Sequence, residues 1–183
     1  METSPVKKLV LETLWTLDKP AKAAEIAKES GVAFPSIMMH LIGLTRMGYA
    51  ESPKKGVYTI TANGKKALGM PEITVEKASE ILRYVPMEKA FQFYADIGKP
   101  LNIYATSLQD FCDKLLTIDL SSIEFHVGRG DFETWFTALG DVELARKTSI
   151  IKKQKMLGKE LRARLYEIVG KRCEELAKTK KEQ

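Results

Sequence analysis

The chain has 183 residues, of which 44% are hydrophobic and 29% charged, with a formal net charge of +5. These values exclude wholesale disorder and collagen-like repetition, and no uninterrupted apolar run approaches the ~18 residues a membrane span requires. The start, Met1 to Pro5, lacks the basic-then-apolar layout of a secretory leader, and the isolated Cys112 and Cys173 fit a reducing cytoplasm better than a disulfide framework or zinc motif. Charge segregates along the chain: ten Lys/Arg against six Asp/Glu over 1–70, six against thirteen over 71–145, and thirteen against five over 146–183. This pattern predicts a domain over 1–70, an acidic domain over 71–145 and a basic terminal helix over 146–183. The positive ends suit an anionic partner such as nucleic acid.

Ser4 and Pro5 read as an N-cap and first helical residue, and Val6, Val10, Leu14 and Leu17 follow at helical steps as far as Asp18-Lys19-Pro20. A second, short helix is expected over about 21–30, with Ala24, Ile26 and Ala27 inward and Gly31 as its stop. Pro35 opens a third, with Ile37, Leu41, Leu44 and Met47 as its buried stripe. Two short strand-like runs follow, 49–52 and 57–60, around the turn-forming, doubly basic tip Pro53-Lys54-Lys55-Gly56. Thr61 caps a last turn to Leu68.

The ordered set Ala24-Glu25-Ile26-Ala27, Ser30-Gly31-Val32, Ser36, His40-Leu41, Leu44, Gly48-Tyr49, Gly56 to Thr61 and Gly64 to Leu68 resembles winged helix-turn-helix regulators of the MarR, ArsR and PadR types. The resemblance covers about seventy residues. It implies a third helix that enters the major groove of double-stranded DNA and a hairpin that touches phosphate. On that basis Phe34, Pro35, Ser36, Met38, Met39, His40 and Arg46 lie on or near the DNA side, with Lys54 and Lys55 as hairpin contacts. One departure stands out. Bases are read by hydrogen-bonding side chains, yet the presumed reading surface offers Phe34, Met38 and Met39 beside Ser36, His40 and Arg46. Such a face also suits a protein partner, since methionine adapts to many surfaces.

Gly69-Met70-Pro71 marks the boundary. Thr74 caps a linking helix over about 75–84, and the stretch 87–104 admits helix or strand. Further on, Ser107 with Asp110 and Ser121 with Glu124 read as capping boxes, Gly128 as a stop, and Asp131 and Asp141 as N-caps. Phe132, Trp135, Phe136 and Leu139 point inward. Residues 91–145 resemble a small helical domain of archaeal and bacterial proteins with no assigned activity, through Ser107-Leu108, Ser122 to His126, Arg129 to Phe132, Trp135 and Gly140-Asp141. Within it, His126 and Asp131 admit a general-base or metal reading, but a structural network with Arg129 paired to a carboxylate accounts for them more simply. The stripe Leu157, Leu161, Leu165, Ile168 or Val169, Cys173 and Leu176 defines a terminal amphipathic helix that could reach back toward Lys147 and either pack on its own module or pair with a second copy, as the last helix of PadR-like regulators does. The end, 178–183, is expected to fray.

The reading is a mainly α protein: an N-terminal winged helix, then a helical domain with a long terminal helix. It is expected to act as a DNA-binding regulator and homodimer whose C-terminal module senses a ligand, recruits a protein or sets dimer geometry, without cofactor, metal or catalysis. An adaptor whose winged helix binds protein is the alternative, and an enzyme or metal protein using His126 and Asp131 the third.

Overall fold

The computed structural model describes residues 4–181; Met1 to Thr3, and Glu182-Gln183, which end the tail expected to fray, lie outside them. The chain is mainly helical and forms two compact units, Met1–Glu72 and Ile73–Gln183.

In the first unit, α1 (Pro5–Leu17) begins where Ser4 accepts from Lys7 N–H. Val10 and Leu14 of the expected stripe are buried and Leu17 packs on the core, with Leu11 added to them, whereas Val6 is exposed. The second helix, α2 (Ala23–Ser30), starts two residues later than expected, because β1 (Ala21–Lys22) joins a sheet. After α3 (Phe34–Arg46) come β2 (Ala50–Lys54) and β3 (Val57–Ile60), and the strand order is β1-β3-β2. The proline at 53 cannot donate to the ladder, and the register shifts between Glu51 and Lys54; Ser52 Oγ bridges the gap, 2.8 Å from Lys54 O and 2.9 Å from Val57 O. The shift carries β2 through Lys54, leaving Lys55-Gly56 as the turn. Ile26, Ile37, Leu41 and Leu44 close the core with the α1 stripe.

The short α4 (Ala62–Ala67) is fixed by Thr61, whose hydroxyl donates to Gly48 O at 2.6 Å and accepts from Gly64 N–H at 3.1 Å. Gly64 lies so close to the residue before β2 that a Cβ there would sit 2.1 Å from Tyr49 O. The obstacle is backbone, which cannot swing aside.

The second unit opens with α5 (Val75–Leu82), capped by Thr74. The ambiguous stretch is a hairpin, β4 (Phe91–Asp96) and β5 (Lys99–Ala105). Phe91 and Phe93 face the core, and Gln92 and Tyr94 the other side, as strand alternation requires. Helices α6 (Leu108–Leu115), α7 (Leu120–Arg129), α8 (Asp131–Leu139), α9 (Val142–Lys153) and α10 (Gly158–Lys181) follow. Phe111 is the centre of the core, with the rings of Phe132, Phe136, Trp135, Phe91 and Phe93 at 4.9 to 5.7 Å.

Five local expectations change. Ser121 lies inside α7, whose N-cap is Asp119, and α7 runs through Gly128 to stop at Gly130. Asp131 is the first residue of α8 rather than its cap, and its carboxylate turns elsewhere. The terminal helix does not reach back to Lys147: the chain breaks after α9, where Glu124 Oε1 accepts from Gly158 N–H at 2.7 Å. Leu157 is 67% exposed and outside the stripe. That stripe, from Leu161 to Leu176, is buried against α5, α6, α7 and α9 of its own unit. The homodimer expected from the terminal helix therefore loses the surface on which it was argued.

A buried ionic network ties α9 to α10. Arg172 reaches both carboxylate oxygens of Asp141, at 2.8 and 3.0 Å, and Glu143 at 2.9 Å, while Asp141 also caps α9 through Leu144 N–H. The carboxylates around Arg172 hold it charged despite its burial.

Two outcomes follow from these contacts. Gly64→Ala lowers the stability of the first unit by about 1–3 kcal/mol in urea unfolding, although alanine is the better helix former; a variant as stable as the parent would refute the close approach. Arg172→Met takes the guanidinium away from the buried Asp141 and leaves Glu143 with Lys147, 3.6 Å away, and costs about 3–5 kcal/mol by the same measurement.

Candidate functional site

The predicted DNA side of α3 is real surface only in part. Ile37, Leu41 and Leu44 fill the core, so the opposite face carries Pro35, Met39, Ile42 and Arg46 at steps of three and four. Met39 is 69% exposed, Phe34 50% and Ile42 44%. Ser36 and His40 are half-buried on the flank, and Met38 packs on the core, which removes it from the outer face. Ile42 was absent from the sequence prediction, although its spacing from Met39 and Arg46 was there to read.

The hairpin adds charge. Lys22 on β1 and Lys54 on β2 both pair with Val57, which lies between them in the sheet, so their side chains share one face. With Lys55 in the turn they form three exposed lysines that make no ion pair among the described residues. Lys22 was read as helix and therefore missed. So was Lys7, which lies across Gly43 of α3: a Cβ there would be 3.6 Å from its Nζ.

The second unit brings together the other candidate group. His126 on α7 is 3% exposed and both its ring nitrogens are engaged. Nε2 accepts from Tyr94 N–H on β4 at 2.9 Å, so this nitrogen carries no proton. Nδ1 then bears the proton and donates to Asp131 Oδ2 at 2.8 Å. The same oxygen accepts from Arg129 Nε at 3.2 Å, and the Arg129 guanidinium lies 5.3 Å from the centre of the Phe125 ring. With both nitrogens occupied, the ring has no lone pair free for a metal ion or a substrate proton; it ties β4 to α7. Arg129 does pair with a carboxylate, and that carboxylate is Asp131. Among the described residues no group of three His, Cys, Asp or Glu side chains is placed to hold a metal ion.

Burial pushes the His126 pKa below its ordinary 6.5; the hydrogen bond and charge of Asp131 oppose this, and the charge of Arg129 adds to it. The two thiols are also buried, Cys112 on α6 and Cys173 on α10, and burial pushes them up to about 11 and about 12, so both stay protonated and unreactive at neutral pH.

No protein-family model, curated protein or solved structure matches this chain. Among the described residues no helix is long and apolar enough to cross a membrane.

The depressed His126 pKa has a defined consequence for stability. The unfolded chain takes up a proton near pH 6.5, the folded chain only below that. The stabilisation is complete above pH 6.5 and is lost as the pH falls through that value toward the folded pKa. Urea unfolding at pH 7.5 and 5.5 tests this. The parent loses stability on acidification, and His126→Asn, weaker throughout, shows a smaller loss; equal losses would remove His126 as the cause.

Proposed function

We propose that the chain is a DNA-binding regulator. Its first unit acts as a winged helix, and its second unit senses a ligand. The observation that carries the reading is the convergence of Lys22, Lys54 and Lys55 on one end of the small sheet, without acidic partners among the described residues. The order of elements, with β1 and β2 flanking β3 and α3 presenting an open face, supports the same reading. Three exposed cations on one small sheet and its turn suit phosphate, which is evenly spaced along a duplex and attracts by charge rather than by sequence. The base-reading part is sparse: Ser36, His40 and Arg46 can donate, while Met39 and Ile42 suit thymine methyl groups.

The apolar line favours a second reading. Met39 and Ile42, with Phe34 at the start of the same helix, give a face that would equally cover a groove on a protein partner, making the chain an adaptor.

Fluorescence anisotropy with mixed-sequence duplex DNA at two salt concentrations separates the two. The regulator binds with affinity that falls steeply as salt rises. Replacing Lys22, Lys54 and Lys55 by alanine flattens the slope of log affinity against log salt by about one per lost phosphate contact. No binding at low salt overturns the regulator. The adaptor predicts a partner captured with little salt dependence and lost on Met39→Asp.

A further inference from the structure

Beside His126, a cavity of about 300 Å³ opens between β4, the β4–β5 turn and α7. This volume is at the lower end for small-molecule sites, which run from about 300 to 1,000 Å³. Its walls are aromatic, from Phe91, Tyr94 and Phe125, and Ile97 stands 76% exposed at the rim. A large aliphatic side chain so open to water, on a turn otherwise held by Asp96 accepting from Ile97 N–H, has no packing role in the fold.

The polar lining is specific. Asp131 Oδ2 receives both the His126 and the Arg129 bonds, and among the described residues Oδ1 receives none. Arg129 uses only Nε, so its two Nη groups make no hydrogen bond within the described residues. The cavity thus offers a forked donor and a single charged acceptor side by side. The side chains that offer them are fixed from behind: Asp131 by the buried imidazole, Arg129 by Asp131 and the Phe125 ring. Paired in this way, the two charges nearly cancel. A simple anion drawn to Arg129 is repelled by Asp131, and a simple cation meets the reverse. A ligand carrying both charges on neighbouring atoms satisfies both at once.

We propose that this cavity binds a free α-amino acid with an aromatic or large apolar side chain. The α-carboxylate lies against the Arg129 Nη groups in a bidentate pair, and the α-ammonium donates to Asp131 Oδ1. The side chain rests against Phe91, Tyr94 and Phe125 and is covered by Ile97. The site deepens the sensing role proposed above but depends on it only for what the ligand controls. A chain that binds amino acid and not DNA would sink the regulator and leave the site standing.

Calorimetric titration of the full chain at neutral pH tests it, with L-phenylalanine, L-tryptophan and L-leucine as probes. Two analogues, 3-phenylpropanoate without the ammonium and phenethylamine without the carboxylate, complete the set. At least one amino acid binds saturably, and for L-phenylalanine each analogue is weaker by about tenfold or more, the size of one charge-assisted bond. Arg129→Gln weakens the amino acids and 3-phenylpropanoate but does not weaken phenethylamine, which loses a repelling charge. Asp131→Asn, whose amide oxygen still accepts from His126, does the reverse with the two analogues. Should Asp131→Asn fail to fold, Arg129→Gln decides, since that side chain is half exposed and outside the core. Absence of saturable binding by all three amino acids at millimolar concentration overturns the proposal. Equal affinity for L-phenylalanine and both analogues, unaffected by Arg129→Gln, overturns it too.

Discussion

One carboxylate oxygen, Asp131 Oδ2, sets the arrangement of the polar side of the second unit. By accepting from Nδ1 of His126 it fixes the imidazole tautomer, and the other nitrogen is thereby left to accept from Tyr94 N–H. That bond spans 32 positions of sequence and docks β4 on α7. Phe91 and Phe93 then enter the aromatic core around Phe111, while Gln92 and Tyr94 turn to the opposite side. Removing the carboxylate would leave a buried ring with an unmatched N–H, a cost of about 1–3 kcal/mol, so the group is maintained by the fold whether or not a ligand visits it. Gln92 extends the same polar side: it accepts from Tyr94 Oη and donates to Tyr104, each at 3.1 Å.

The first unit is governed by a steric rather than an electrostatic constraint. Gly64 lets α4 approach the chain at Tyr49, and the Thr61 hydroxyl locks that approach through Gly48 O. This packs the end of the hairpin beside the C-terminal end of α3. Each of the buried Ile37, Leu41 and Leu44 contributes roughly 1.5–3 kcal/mol, and so they decide which face of α3 turns outward. The outward line of Met39 and Ile42 is thus a consequence of helical geometry. Its chemistry is apolar, whereas the exposed side chains at Lys22, Lys54 and Lys55 of the small sheet and its turn are cationic.

Charge along the chain divides it differently from its packing. The acidic middle and the basic tail appear as opposite segments, and the reversal near residue 145 falls inside α9. Residues 73–183 hold nineteen Lys/Arg against seventeen Asp/Glu, a nearly balanced body. Part of that balance is internal, since Arg172 from the basic segment neutralises Asp141 and Glu143 from the acidic one. The +8 of the tail is therefore not all available to an anionic partner.

What the sequence determined by itself was local. Ser4, Thr61, Thr74, Ser107 and Asp141 are N-caps as read, because a cap is one side chain and one N–H three residues on, with no need of the rest of the chain. The α10 stripe was equally legible, being a period of a single helix, although its destination was not. Tertiary structure decided everything that needed a distant partner. The strand at Ala21-Lys22 exists only because β3 pairs with it, and that alone makes Lys22 a companion of Lys54. The stretch after residue 87 became a hairpin because Phe91 and Phe93 could be buried against α6, α7 and α8. Asp131 follows a glycine and opens a helix, as a cap would, yet its carboxylate was claimed by a buried imidazole and a guanidinium. Among the candidate residues the chemistry was visible in the sequence, and the pairing was not: a charged group selects its partner by proximity in the folded state, which local pattern does not encode.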